Sequence, residues 1–326
     1  MNINQIYNED CQEGIKRIPD TSIDCILTDP PYLYLKGQKL DRSFDERALF
    51  LEFARVLKPK GFIVLFGRGT SFYRWNTLLD KVRMYNGEYG YLYEFNGKSF
   101  FNDIEVGSEA LKAPLFQFKE EIIWNKRRTS SPVLPLARVH ETISIHTISG
   151  SINKSIINYG EAKAFRLDKI TEELKRLGTA LNKGPQFHKI VENLKKKNET
   201  GTYSDGVGHV GYATSFSSPY FKRHINTYVV ESMLNGVREQ SIIEENRTHL
   251  GQIHPTQKPV RLLERLLALT TQPGDVVLDP FSGSCSTAIA CVNTNREYIG
   301  FEIDKEYYEA GTKRLNDVLS NPRLAM

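Results

Sequence analysis

The 326-residue sequence predicts an α/β fold on a mostly parallel sheet, interrupted by an inserted module. Three observations predict it. From Ile3 to about Leu65, short apolar runs alternate with helical stretches, the rhythm of parallel strands joined by crossover helices. The same rhythm returns after Pro259. Between them, residues 151–250 hold 15 basic and 11 acidic residues, so the whole +4 net charge of the chain falls in this stretch.

Taken in order, Ile23-Asp24-Cys25-Ile26-Leu27 is a buried strand that must stop at Thr28-Asp29-Pro30-Pro31, because two prolines cannot donate ladder hydrogen bonds. Asp29 is thereby left at the carboxyl end of that strand. Helical spacing of Leu49, Phe50, Phe53, Val56 and Leu57 predicts a helix over 45–57. Lys58-Pro59-Lys60-Gly61 should stop it before the strand Phe62–Phe66. Further strands are predicted at Glu121–Asn125 and Glu141–His146. The stretch 151–250 carries basic helical pieces (163–176 and 188–197) and then a polar region rich in Gly, Ser and Tyr. After Pro259 come a helix (Leu262, Leu263, Leu266, Leu267), the strand Val276–Asp279, a Gly/Ser turn, a helix through Ala288 to Val292, the strand Tyr298–Phe301 and a final helix with Tyr307, Tyr308 and Ala310.

Composition narrows the function class. With 40% hydrophobic and 25% charged residues the chain is of ordinary globular type, and no apolar run approaches the ~18 residues of a membrane span. The N-terminus has neither a basic segment nor a hydrophobic core for secretion, so a cytoplasmic protein with no membrane partner is expected. Four cysteines, at 11, 25, 285 and 291, match neither zinc-knuckle nor disulfide-framework spacing, and reduced thiols follow. His188, His209, His224 and His249 are scattered without ligand spacing, so no metal is expected. There is no GxxxxGK[ST] run, and the Gly-rich turn over 279–287 lacks a pyrophosphate-type GxGxxG, so nucleotide hydrolysis and hydride transfer are poorly supported.

Two constellations carry chemistry. Asp279-Pro280-Phe281-Ser282-Gly283-Ser284-Cys285-Ser286-Thr287 joins a strand to a helix, where a Gly-rich turn lets a ligand approach backbone amides and the helix start. Glu302 lies 23 residues after Asp279 at the end of the next strand, where a Rossmann-like site holds two ribose hydroxyls. A tight turn with a solvated Glu is the alternative. In Asp29-Pro30-Pro31-Tyr32, the acid and the constrained carbonyl form a rigid pair of acceptors, and Tyr32 offers a flat face to a planar ring. Such a set suits a base whose exocyclic amine must give up hydrogen-bonded protons while its lone pair meets an electrophile.

Together with Asn8-Glu9-Asp10-Cys11, Arg55–Gly61, Ile123-Trp124-Asn125-Lys126, His140-Glu141 and His254-Pro255-Thr256-Gln257-Lys258-Pro259, these runs resemble the amino-methylating DNA methyltransferases in the permuted order of the β class. The resemblance covers roughly residues 3–150 and 250–318. It implies a Rossmann-like, S-adenosylmethionine-dependent methyltransferase. Residues 1–150 and 251–326 would form a discontinuous catalytic and cofactor-binding domain, and 151–250 a target recognition domain. It further implies methyl transfer to an exocyclic amine in duplex DNA by base flipping and direct transfer, Asp29, Pro30, Pro31 and Tyr32 being catalytic. The acidic first residue of that tetrad is more typical of adenine N6 targets. Cytosine N4, or an RNA or protein amide, is the rival acceptor, and a silent DNA-binding protein of the same fold is the rival outside catalysis.

For the cofactor, the resemblance implies Asp10 and Cys11 near the adenine, Phe281, Gly283 and Ser284 at the methionine part, Glu302 on the ribose, Thr256 and Lys258 near the carboxylate, and Asp29 and Asp279 alongside. Duplex DNA is the implied partner, with Lys126, Arg127, Arg128, Arg138, Lys222 and Arg223 as contacts, followed by Lys195–Lys197, Arg238 and Arg247. A monomer or homodimer, alone or with a cognate restriction endonuclease, fits the family. One departure stands out: the family turn Gly-Ser-Gly-Thr is here Gly283-Ser284-Cys285-Ser286, and Cys brings a Cβ where Gly gives backbone freedom. A weaker cofactor site or a loop of different course is expected.

Overall fold

Alternation along Ile23–Thr28 covers the sheet on both faces, since Cys25 and Leu27 enter one apolar cluster and Ile26 the other. The computed structural model describes residues 1–32, 42–107, 113–127, 139–162, 170–173, 175, 232–246 and 253–320. The chain divides into two units, 1–153 with 240–326, and 154–239.

The first unit begins with β1 (Gln5–Tyr7), α1 (Cys11–Gly14), β2 (Ile23–Thr28), α2 (Glu46–Val56), β3 (Leu57–Gly67) and α3 (Gly69–Lys81). Strands β4 (Val82–Tyr85), β5 (Glu88–Phe95), β6 (Lys98–Phe101), β7 (Ile104–Val106), β8 (Gln117–Asn125) and β9 (His140–Thr147) follow. The described part of the second unit includes β10 (Ile156–Ile157), α4 (Tyr159–Ala162) and β11 (Val237–Arg238), with β10 and β11 paired antiparallel. The first unit resumes with β12 (Ile242–Glu244), α5 (Val260–Thr270), β13 (Val276–Asp279), α6 (Ser286–Asn293), β14 (Glu297–Phe301) and α7 (Lys305–Ser320).

Among the described residues, eight strands form one sheet in the order β1-β14-β13-β2-β3-β9-β8-β12. Only the pairings of β9, with β3 and β8, are antiparallel, so the sheet is mostly parallel. One face is covered by Leu49, Phe50 and Phe53 of α2 with Trp75 and Leu79 of α3. The other is covered by Leu262, Leu263, Leu266 and Leu267 of α5, at the spacing the sequence predicts, with Ala288 and Ile289 of α6. Among the described residues no helix is long and apolar enough to cross a membrane.

Two local readings need correction. Lys58–Gly61 does not separate α2 from a strand starting at Phe62, because β3 already begins at Leu57. Leu57 lies opposite Ile23 and Phe62 opposite Cys25, so the four residues between bulge out of the ladder. Pro59 has no N–H to pair there, and its carbonyl accepts from Ser149 N at 2.9 Å instead. The second correction is an unpredicted four-stranded antiparallel sheet, β4-β5-β6-β7. Its hairpins turn at Asn86-Gly87, Asn96-Gly97 and Asn102-Asp103, all six residues at positive φ. Asn-Gly between alternating aromatic residues is a strong hairpin signal, and the sequence carries it twice.

β1, β14, β13, β2 and β3 run parallel, so their carboxyl ends share one edge of the sheet. Asp10, Glu302, Asp279 and Asp29 follow or end four of these strands, where open α/β sheets place ligands.

Candidate active site

A cavity of about 200 Å³ lies at this edge. It is lined by Asp10, Cys11, Asp29, Pro30, Pro31, Tyr32, Thr256, Lys258, Asp279, Phe281, Gly283, Ser284 and Glu302. Every residue expected at the catalytic and cofactor positions therefore faces one space, within the first unit.

Asp29 leaves β2 where Pro30 and Pro31 end the ladder. Its Oδ2 lies 2.6 Å from the Lys258 ammonium, and its Oδ1 accepts a hydrogen bond from the Tyr32 hydroxyl. Lys258 also donates to Glu141 Oε2 at 3.0 Å, and Lys126 donates to Glu141 Oε1 at 3.0 Å. Two carboxylates and two ammonium groups thus alternate in a buried chain, with Lys258 4.9 Å from the Phe66 ring centre. Burial raises the Asp29 carboxyl above its ordinary range, opposed by the Lys258 ammonium. Burial acts on Glu141 in the same sense, but Lys258 and Lys126 together outweigh it and hold that carboxyl at about 2. The Lys258 ammonium shifts upward although burial opposes its charge, because Asp29 and Glu141 flank it.

The other wall is organised by the backbone. Glu302 follows β14, its Oε2 accepting from Gly283 N and its Oε1 from Asp304 N, each at 2.8 Å. Asp279 accepts from Thr287 Oγ1 at 2.6 Å and Phe281 N at 3.1 Å, yet burial with no cation against it pushes its carboxyl to about 7. Gly283 turns at φ +46°, and a Cβ added there would meet the His254 ring at 3.4 Å. Cys285 occupies the left-handed region at φ 57° and ψ 26° immediately before α6, fully buried. The loop therefore keeps a conformation that favours glycine and absorbs the cysteine at a cost of roughly 1–2 kcal/mol of backbone strain. Gly311 of α7 leaves room for the sulfur, since a Cβ there would lie 2.8 Å from Cys285 Sγ. Arg314, also on α7, donates to the Ser284 carbonyl at 2.8 Å and ties the turn down.

Asp10 caps α1 by accepting from Gln12 N at 2.8 Å, and Cys11 is buried behind it. Thr256 is exposed, with its hydroxyl 3.0 Å from His254 Nδ1. The sequence reading assigned no role to His254, Phe44 or Glu141. His254 lines the cavity, packs 4.3 Å from Tyr307 between ring centres, and is pushed down to about 4 by burial and by Lys258. Phe44 meets Phe281 at 5.1 Å between centres. His254 and Glu141 stand in the motif-bearing runs, which was the available signal; Phe44 had none.

The expected DNA contacts fare differently. Lys126 is a correction: only 3% exposed, its ammonium on Glu141, it is spent inside the protein and not presented to phosphate. Arg127 lies 3.3 Å from Glu244, and Arg238 is exposed on β11. Arg128, Arg138, Lys222, Arg223, Lys195–Lys197 and Arg247, like His188, His209, His224 and His249, lie outside the described residues.

Residues 23–313 match the DNA methylase family of adenine N6 and cytosine N4 enzymes. The DNA adenine methyltransferase YhdJ of Escherichia coli is 48% identical over 68 residues, which is 21% of this chain and 23% of that protein. The type II methyltransferase M.HpaI of Haemophilus parainfluenzae is 25% identical over 313 residues, 93% of this chain and 71% of the relative. Among solved structures, the M1.HpyAVI–SAM complex superimposes with a TM-score of 0.51 at 19% identity, covering 96% of this chain and 98% of the other. The cytosine-N4-specific PvuII DNA methyltransferase does so with 0.50 at 16%, covering 95% and 85%. At these identities the structural likeness establishes the α/β fold.

Proposed function

The chain belongs to the N6/N4 DNA methylase family, and on that premise we propose that it methylates the N6 amine of adenine in duplex DNA as a β-class enzyme. The observation that carries this reading is the meeting of Asp29-Pro30-Pro31-Tyr32 with the Gly283 turn and Glu302 around one cavity. Asp29 rather than a serine at the head of the tetrad favours adenine, as does the local identity to a DNA adenine methyltransferase.

The cavity suits S-adenosylmethionine by its donor set. Glu302 has its two oxygens fixed by backbone amides, with lone pairs left for ribose hydroxyls. Phe281 gives an apolar wall, and the open φ of Gly283 keeps the turn free of a side chain. Asp10 and Cys11 would border the adenine, with Ser284, Asp279 and Thr256 along the remainder. Lys258, expected beside the cofactor carboxylate, already has two carboxylates as partners within the chain. When bound, the cofactor supplies an electrophilic methyl on a sulfonium.

The chain's own residues then act on the amine. The Asp29 carboxylate and the Pro30 carbonyl accept hydrogen bonds from the two N–H groups, which localises the nitrogen lone pair and stabilises its developing positive charge, and once methylated the nitrogen sheds one of these protons by way of the Asp29 carboxylate. The acceptor must be ionised, and the Lys258 ammonium at 2.6 Å favours that state against burial. Tyr32 stacks on a base flipped out of the duplex, exchanging its hydroxyl contact with Asp29 for the incoming amine. Residues 151–250 serve as the recognition domain, with Lys222 and Arg223 on phosphates and Arg128 outside that stretch joining them.

Incubation with unmethylated DNA and S-adenosylmethionine, followed by digestion and mass spectrometry of the nucleosides, tests the reading. N6-methyladenine is the expected product. N4-methylcytosine would overturn the base, and no methylated nucleoside would overturn DNA as acceptor.

A further inference from the structure

Glu141 is neither among the residues lining the cavity nor in the family tetrad, yet through Lys258 it holds the centre of the charge chain behind that wall. It sits on β9 opposite Trp124 of β8, and Lys126 follows that neighbouring strand, so the sheet itself sets the distance between the two charges. Its carboxylate is divided, one oxygen to each lysine at 3.0 Å. Lys258, by contrast, precedes a helix in an irregular segment and carries its ammonium on a flexible four-carbon stem. With Asp29 as its sole partner, that ammonium would follow the carboxylate through its rotamers. Glu141 gives it a second anchor on a rigid element.

We propose that Glu141 is the positioning residue of this site: backed by Lys126, it fixes the Lys258 ammonium so that Asp29 Oδ2 is locked and Oδ1 is presented to the substrate amine. The inference deepens the methyl-transfer reading and rests on Asp29 being the acceptor. The orientation matters because a misplacement of about 1 Å at a reacting centre can cost ~10²-fold in rate. The charge count supports the same assignment. Two anions and two cations balance, whereas loss of Glu141 leaves two buried ammonium groups against Asp29.

The groups that face Asp29 are Lys258, Glu141, the Tyr32 hydroxyl and Asp279, and they give the pH dependence its sign. If Glu141 acted only as a nearby negative charge, its removal would ease ionisation of Asp29 and move the acid limb of kcat to lower pH. If it positions Lys258, the ammonium still follows Asp29 and the limb moves the same way, so the two roles are separated by kcat, which falls only if the placement of Lys258 matters.

The test uses the full chain with Glu141→Gln, the conservative Glu141→Asp, and the charge-balanced Glu141→Gln/Lys126→Met. Glu141→Gln should lower kcat by about 10²-fold and leave the Kd for S-adenosylmethionine and the KM for DNA within about threefold. Glu141→Asp should recover part of kcat, and the charge-balanced variant should remain slow, which also covers the case in which the single Gln variant fails to fold. Wild-type kcat in the Gln or the balanced variant would overturn the proposal. Asp29→Ala run in parallel separates the two failures. Turnover retained there defeats the methyl-transfer reading, whereas turnover abolished there beside an unimpaired Glu141→Gln defeats only the role of Glu141.

Discussion

Of the carboxylates that line the cavity, Glu302 and Asp29 are held by opposite means. Glu302 is gripped by the amides of Gly283 and Asp304, both within a few residues of the turn and the strand it serves. Asp29 is gripped by an ammonium 229 positions away in sequence, itself tied to Glu141 and through it to Lys126. The wall proposed for the cofactor is thus pre-organised by backbone geometry, and the wall proposed for the acceptor amine by a balance of charge. Backbone anchors survive most side-chain changes. A charge chain fails when any one member goes.

The largest expected effect follows from that asymmetry. Lys258→Met leaves Asp29 and Glu141 buried without their shared cation, and losing one member of a buried ion pair costs about 3–5 kcal/mol. Urea unfolding should show a lower midpoint with an unchanged slope, and a midpoint within error of wild type would erase the contrast between the two walls.

Next comes the pH dependence of stability, where Glu141 and Asp279 should pull in opposite directions. The Glu141 carboxyl is held at about 2, below its ordinary 4.5, so its stabilisation is present above the ordinary value and is lost as pH falls toward 2. Asp279 is raised from 3.8 to about 7, so its contribution is present below the ordinary value and is lost as pH rises through 7. Between pH 4 and 7 the Asp279 effect is on the order of 2–4 kcal/mol. Denaturation across that window should show Asp279→Asn losing less stability than wild type as pH rises. Parallel curves for the two proteins would contradict the assignment.

On the cofactor wall, Glu302→Ala removes a charged acceptor worth about 1.5–3 kcal/mol and should weaken S-adenosylmethionine binding by roughly 10–100-fold in calorimetry, with kcat at saturation little changed. A collapse of kcat at saturating cofactor would mean that the walls are not separable. The smallest effect is expected for Cys285→Gly. Relief of left-handed strain, about 1–2 kcal/mol, is offset by loss of the buried sulfur against Gly311, so stability should change by less than about 1 kcal/mol and cofactor affinity by less than about threefold. A large gain in affinity would show that the cysteine had distorted the turn.

The same contrast explains what the sequence made legible. Asp29, the Gly283 turn and Glu302 sit where a strand visibly ends, and both proline chemistry and the βα rhythm point at them. The α5 spacing and the mostly parallel sheet follow from apolar periodicity in the same way. Glu141 and Lys126 could not be assigned from local pattern, because nothing in Lys126-Arg127-Arg128 distinguishes a buried ion-paired lysine from a phosphate contact. Only the pairing of β8 with β9 brings them together. The sheet over 82–106 is a different case, since two Asn-Gly pairs between aromatic strands mark its hairpins in the sequence itself.

The most direct measurement of the central claim is a paired assay of Asp29→Ala, with transfer of labelled methyl to DNA on one side and calorimetric titration of S-adenosylmethionine on the other. Separate walls predict that methyl transfer is abolished while the cofactor Kd stays within about threefold of wild type. Methyl transfer retained in this variant, or cofactor binding lost together with it, would contradict the account.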